Sequence, residues 1–202
     1  SGTDVGKTFF LENICSKLIK NNQSVAAVKP IISGFEIDDL NSDSAKILKS
    51  LNLEVSSKNL NLISPWQFKN PLSPNIAAEI EDKKIDFLEV VDFCKKEIEK
   101  SIKLDRFLFI ETAGGIMTPI NDEKTFLDLS EELKIPVLFI SRNYLGTINH
   151  TLCAVEAMRT RNIIPELVLF NRFGDESNSS KVLNTIRKIG KTNTIFLDVF
   201  LD

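Results

Sequence analysis

Five short apolar runs punctuate the chain, at residues 25–28, 107–110, 137–140, 167–170 and 194–197, with segments of helical periodicity between them. Runs this continuously apolar suit strands buried on both faces. Their alternation with helices is the pattern of a parallel sheet joined by crossover helices. The clearest helix starts after Asp86, a fitting N-cap, and sets Phe87, Val90, Val91, Cys94, Ile98 and Ile102 along one stripe. Residues 7–20, 44–51, 126–133, 148–159 and 181–189 also read as helices. Residues 53–74, interrupted by Pro65 and Pro71 and ending at Pro74, read as loop with one short strand. No internal repeat or linker divides the chain, so the expectation is one α/β domain over residues 1–202.

Gly6-Lys7-Thr8 opens the first helix directly after Gly2-Thr3-Asp4-Val5. This is the tail of a Walker A loop, whose backbone N–H groups and helix N-terminus cradle phosphates. In such a loop the lysine, here Lys7, is expected to reach the β- and γ-phosphates of ATP, and the hydroxyl, here Thr8, to bind Mg²⁺. The full loop is G-x-x-x-x-G-K-[ST], whereas Gly2 and Gly6 enclose three residues, and no apolar run precedes them. The expectation is that the loop's first glycine and a first strand lie upstream of Ser1. The plainer alternative is a helix start with a solvated lysine.

In open parallel sheets ligands bind at the carboxyl ends of strands. Lys29-Pro30-Ile31-Ile32-Ser33-Gly34 follows one such run and supplies a point charge. Glu111-Thr112-Ala113-Gly114-Gly115 follows another, with Glu111 in the place of a Walker B carboxylate that holds Mg²⁺ or its water. Leu145-Gly146-Thr147-Ile148 begins a helix whose N–H groups can meet an anion, although an ordinary cap by Thr147 is an equal reading. Asn171 ends a further run; its amide can pair with a nucleobase edge or simply form a turn. His150 reads as helix-surface packing and not as a general base.

Composition narrows the class. A net charge of −3 gives no nucleic-acid or anionic-membrane surface. No apolar run approaches the ~20 residues that span a bilayer. The cysteines Cys15, Cys94 and Cys153 lie far apart, which fits reduced, packed thiols in a cytoplasm. A single histidine excludes a His-rich metal centre.

The order of these motifs resembles the dethiobiotin synthetases over nearly the whole chain. That family carries T-x-V-G-K-T, K-P-x-x-S-G, N-S-D, S-P with a polar residue, E-x-A-G-G leading to a proline, L-G-x-I-N-H, and a late strand closed by Asn. The matching residues are Thr3 to Thr8, Lys29 to Gly34, Asn41-Ser42-Asp43, Ser73-Pro74-Asn75, Glu111 to Pro119, Leu145 to His150, and Asn171. The resemblance implies a P-loop NTPase-like three-layer sandwich with a mostly parallel sheet. It also implies ATP- and Mg²⁺-dependent carboxylation of 7,8-diaminononanoate with CO₂ or bicarbonate, closing a cyclic urea in a cytoplasmic homodimer with shared active sites.

Roles follow from the resemblance residue by residue. Asp4, Val5, Gly6, Lys7 and Thr8 hold the nucleotide, and Thr8, Asp43 and Glu111 surround Mg²⁺. Lys29 neutralises charge between carbamate and γ-phosphate, Thr3 and Ser33 hydrogen-bond the carbamate or amine, and Asp4 lies near the diamine end. The N–H groups at Gly146, Thr147 and Ile148 hold the substrate carboxylate from the partner subunit, and Asn171 reads adenine. Two rivals stand against this reading. A deviant-Walker partition or positioning ATPase carries an extra loop lysine where this chain has Gly2. A silent binding module would have lost the reactive side chains, and none of these positions has.

Overall fold

The structure is a computed structural model and describes residues 2–36, 39–172 and 178–201. In chain order it forms α1 (Lys7–Lys20), β1 (Val25–Val28), β2 (Ile31–Ile32), α2 (Asp43–Ser50), α3 (Ser57–Ile63), β3 (Trp66–Gln67), α4 (Pro74–Ile80) and α5 (Phe87–Lys103). There follow β4 (Phe107–Ile110), α6 (Phe126–Leu133), β5 (Leu138–Arg142), α7 (Thr147–Thr160), β6 (Leu167–Asn171), α8 (Ser179–Gly190), β7 (Thr194–Phe196) and α9 (Leu197–Leu201). Among the described residues every strand pair is parallel: β1 with β4, β2 with β3, and β5 with β6 and β6 with β7.

Two compact units are present. One comprises residues 8–113 and 118–126, the other residues 1–7, 114–117 and 127–202. In the first, Leu11 and Cys15 of α1 meet Ala27 and Val28 of β1, Ile32, and Ile47 and Leu48 of α2 in a buried cluster. In the second, Phe139 of β5 and Val168 and Phe170 of β6 pack with Val155 and Met158 of α7 and Leu183 and Ile186 of α8. Each unit thus covers a parallel sheet with helices, the arrangement that apolar strands without a polar face demand.

Local chemistry sets the boundaries. The Ser42 hydroxyl accepts from Ala45 N, so α2 starts at Asp43, whose carboxylate also faces the positive end of the helix. Pro74 occupies the first turn of α4, where its missing N–H costs nothing. The Asp86 carboxylate accepts from Leu88 N at 2.8 Å and Glu89 N at 3.3 Å, which is the expected cap of α5.

The stripe on α5 holds through Cys94 and then departs from expectation: Ser101 is buried while Ile102 is 74% exposed. At ~100° per residue, Ser101 returns to within ~20° of Cys94 and Ile102 lies ~80° away. Residues 53–74 are also more ordered than a loop. The expected short strand is β3, but α3 precedes it, capped by the Ser56 hydroxyl on Asn59 N. With only Leu60 and Ile63 buried, α3 has too little apolar periodicity to show in sequence. The run at 194–197 turns helical at Leu197, where α9 begins.

β4 is less buried than an apolar run predicts. Phe107 is 51% exposed, and among the described residues β1 alone pairs with this strand. Cys15 and Cys94 are buried, and burial pushes their thiols up to about 11 and about 12. Cys153 is exposed and so is not the packed thiol expected. Among the described residues no helix is long and apolar enough to cross a membrane.

Candidate functional site

Parallel pairing assembles a cluster of charged side chains within one unit. Val28 and Ile110 are register partners at the ends of β1 and β4, so Lys29 and Glu111 leave the two strands side by side. The Glu111 N–H donates to the Val28 carbonyl at 2.8 Å, fixing the exit of β4. Both side chains are buried, Lys29 at 5% exposure and Glu111 at 4%.

Lys29 Nζ donates to Glu111 Oε1 at 2.9 Å and also to Asp43 Oδ2, the first residue of α2. Thr8 Oγ1, in the first turn of α1, donates to the same Glu111 Oε1 at 2.8 Å. Thus Thr8, Lys29, Asp43 and Glu111, drawn from four motifs and a span of more than one hundred residues, converge in one unit. Burial opposes a charge on Lys29, but the Glu111 and Asp43 carboxylates outweigh it and hold the ammonium above its ordinary value. Burial likewise pushes the Asp43 carboxyl up, and Lys29, with help from Thr8 and Lys46, holds it below the ordinary value.

Glu111 Oε2 is buried and, among the described residues, accepts no hydrogen bond. A carboxylate oxygen without a donor in a buried site is costly unless a cation or proton meets it. Thr8, Asp43 and Glu111 offer hard oxygen donors, the type Mg²⁺ takes along with waters and phosphate oxygens. Among the described residues no group of three His, Cys, Asp or Glu could hold a metal by itself.

Glu12, absent from the sequence-derived set, belongs near this cluster. It lies one turn beyond Thr8 on α1, and that i,i+4 spacing is the signal that could have found it. Burial holds its carboxyl above the ordinary value; Lys46 opposes this, while the Asp43 and Glu111 charges add to it.

The other unit carries a feature of its own, the loop before α1. Asp4 has φ 57° and Gly6 φ 106°, two left-handed positions in a tight turn. Val5 is buried, while Thr3 and Asp4 are exposed. The Lys7 ammonium folds back onto the Gly2 carbonyl. Asn171 ends β6, and its Nδ2 donates to the Val5 carbonyl at 3.2 Å.

Gly146 is the N-cap of α7 in a left-handed conformation, φ 97°, so Thr147 is not the cap. The Thr147 N–H donates to the Tyr144 carbonyl at 3.0 Å, and its buried hydroxyl donates to the Arg142 carbonyl at 2.7 Å. An anion here would therefore rely on Gly146 and Ile148. His150 pairs through Nδ1 with the Tyr144 hydroxyl at 2.9 Å on an exposed face, as surface packing. Ser33 follows β2 in the same unit as Lys29, beside Gly34, whose N–H donates to the Asn70 carbonyl at 3.1 Å.

Comparison with known proteins gives the family. Residues 1–196 match the AAA domain family. The ATP-dependent dethiobiotin synthetase of Acidiphilium cryptum is 34% identical over 173 residues, 85% of this chain and 76% of the relative. That of Caulobacter vibrioides is 32% identical over 197 residues, covering 96% and 87%. That of Legionella pneumophila (strain Paris) is 37% identical over 164 residues, covering 80% and 72%.

Among solved structures, the signal recognition particle 54 kDa protein of Aeropyrum pernix in complex with GDP superposes with a TM-score of 0.56 at 9% identity. The signal recognition particle receptor of Elizabethkingia anophelis gives 0.51 at 13%. Each match covers 96% of this chain, which spans 38% and 55% of those two proteins. At such identities the likeness shows the fold alone, a P-loop NTPase-like α/β fold with parallel strands.

Proposed function

Because the chain belongs to the ATP-dependent dethiobiotin synthetase family, we propose that it carboxylates 7,8-diaminononanoate with CO₂ and closes the ring to dethiobiotin, converting ATP to ADP and phosphate. The observation that carries this reading is the buried Lys29 ammonium held between Asp43 and Glu111, with Thr8 on the same carboxylate. A phosphate-transfer site needs such a fixed group of charges more than it needs a nucleophile of its own.

In the proposed reaction one amine of the substrate adds to CO₂ and loses a proton, giving a carbamate. A carbamate oxygen attacks the γ-phosphorus and ADP leaves, giving a carbamic–phosphoric anhydride. The second amine then attacks the carbamate carbon, phosphate departs, and a proton is released as the cyclic urea closes. Lys29 would neutralise charge between carbamate and γ-phosphate, a task for a compact ammonium. Thr3 and Ser33 would orient the carbamate or amine, with Asp4 near the diamine. Lys7 would exchange the Gly2 carbonyl for the β- and γ-phosphates, and Asn171 would face adenine.

Thr8, Asp43 and Glu111 would hold Mg²⁺, and the open Glu111 Oε2 supports that assignment. When bound, the ion supplies positive charge to the phosphate oxygens. The substrate carboxylate would meet the N–H groups of Gly146 and Ile148 of a second subunit, the Thr147 N–H being engaged by Tyr144, and the working unit would be a cytoplasmic homodimer of one domain each. A partition-type ATPase switch is the other reading. Its loop lysine is absent at Gly2, and the dethiobiotin synthetase relatives cover most of the chain. Phosphate release separates the two: the ligase requires diamine and bicarbonate together. Release that ignores both and answers to DNA or another protein sinks the ligase reading.

A further inference from the structure

Two side chains from neighbouring strand ends grip consecutive carbonyls of the loop. Arg142 and Asn171 are register partners at the carboxyl ends of β5 and β6. Arg142 Nη1 donates to the Asp4 carbonyl and Asn171 Nδ2 to the Val5 carbonyl, each at 3.2 Å. Asn171 backs closely on the loop: a Cβ added at Gly6 would stand 2.7 Å from its Nδ2. Glycine at position 6 therefore answers both the left-handed φ and the space that Asn171 occupies.

The consequence follows from peptide planarity. In a trans peptide the carbonyl of one residue and the N–H of the next point in opposite directions, and no peptide bond among the described residues is cis. Drawing the Asp4 carbonyl toward Arg142 turns the Val5 N–H away from the strand ends. Drawing the Val5 carbonyl toward Asn171 does the same for the Gly6 N–H. These are donors of the type by which a phosphate loop cradles its anion.

We infer that Arg142 and Asn171 are positioning residues, which hold the phosphate loop with its Val5 and Gly6 N–H groups turned outward to receive the nucleotide phosphates. Arg142 belongs to none of the motifs read from the sequence. The inference rests on the loop being the ATP site. It differs from base recognition by Asn171 because it acts on phosphates and not on adenine.

The test is Arg142→Met, which keeps the apolar stem and removes the donors. Binding of fluorescently labelled ATP, labelled AMP and 7,8-diaminononanoate is measured by titration, together with the unfolding midpoint of the ligand-free protein. The expected result is about tenfold weaker ATP binding, the size of one charged hydrogen bond. AMP and diamine should stay within about twofold and the midpoint should not move, while Arg142→Lys should recover most of the ATP affinity. Unchanged ATP binding in Arg142→Met, or an equal loss for all ligands with a lowered midpoint, overturns the clamp. If the unaltered protein binds ATP and Lys7→Ala does not, while Arg142→Met binds normally, the clamp alone fails. If the unaltered protein binds no ATP, the site reading fails and takes the clamp with it.

Discussion

Lys29 Nζ lies 2.9 Å from Glu111 Oε1 because each residue follows a strand end whose last residues, Val28 and Ile110, are paired in register. The ion pair is a consequence of strand alignment, and its burial makes it asymmetric in energy. Forming it contributes little net stability; removing one partner leaves the other charge stranded. Lys29→Met should therefore cost about 3–5 kcal/mol, mostly through Glu111, since the Asp43 side chain is 41% exposed. Lys29→Met/Glu111→Gln should recover part of that loss, and urea denaturation of the two variants measures it. A double variant no more stable than the single one contradicts the stranded-charge account.

Glu111→Gln keeps the shape of the side chain and removes its charge, including that on the unpartnered Oε2. Half-saturation of turnover by Mg²⁺ should move to at least about tenfold higher concentration, the usual scale for weakening a metal's surroundings. Titrating activity against Mg²⁺ decides it. A superimposable curve removes Glu111 from the metal's surroundings.

Much of this site could be read in sequence because its residues lie immediately beyond apolar strands. Lys29 and Glu111 follow runs that pair in parallel and so leave their sheet at the same edge, and Asn171 ends a run in the other unit. Arg142 was not legible: its role depends on the register of β5 with β6 and on a backbone carbonyl 138 residues away. Glu12 was hidden for a similar reason, as one acidic residue on a helix face looks like any solvated one. The conformation of Gly146 was also out of reach, because a glycine before a helix gives no sign of its φ.

Acid should loosen the segment that carries Asn70. The Glu81 carboxylate accepts from Lys83 Nζ and from the backbone N–H groups of Asn70 and Lys69. Lys83 first, then those N–H groups, draw its carboxyl down from 4.5 to about 2, with burial opposing. A lowered folded value means the contribution is complete above pH 4.5 and is lost as pH falls toward about 2. Glu81→Gln should thus be less stable than the unaltered protein at pH 7, with the gap closing between pH 4.5 and about 2. Denaturation at pH 7, about 4 and about 3 reads the gap. A gap independent of pH shows that ionisation of Glu81 contributes nothing.

The most demanding prediction joins assembly to substrate binding. In the proposed reaction the diamine end of the substrate lies near Lys29, and its carboxylate, one alkyl chain away, needs donors elsewhere. Gly146 and Ile148 at the start of α7 offer them, Thr147 N–H being engaged by Tyr144. Proline at Gly146 would be a poor test, since φ 97° lies far from the −65° or so that proline imposes. Ile148→Pro is better: it lies in the first turn, where proline is tolerated and only the N–H is lost. The KM for 7,8-diaminononanoate should rise about 2- to 5-fold, matching a helix-terminus contribution of about 0.3–1 kcal/mol, while the KM for ATP stays put. If α7 of one subunit serves the phosphate loop of the other, mixing Ile148→Pro with Lys7→Ala regenerates an intact site in each hybrid dimer. At diamine concentrations below KM the mixture should then exceed the mean of its two parents per subunit. A mixture that equals that mean, with subunit exchange demonstrated by mass spectrometry, places both parts of the site in one chain.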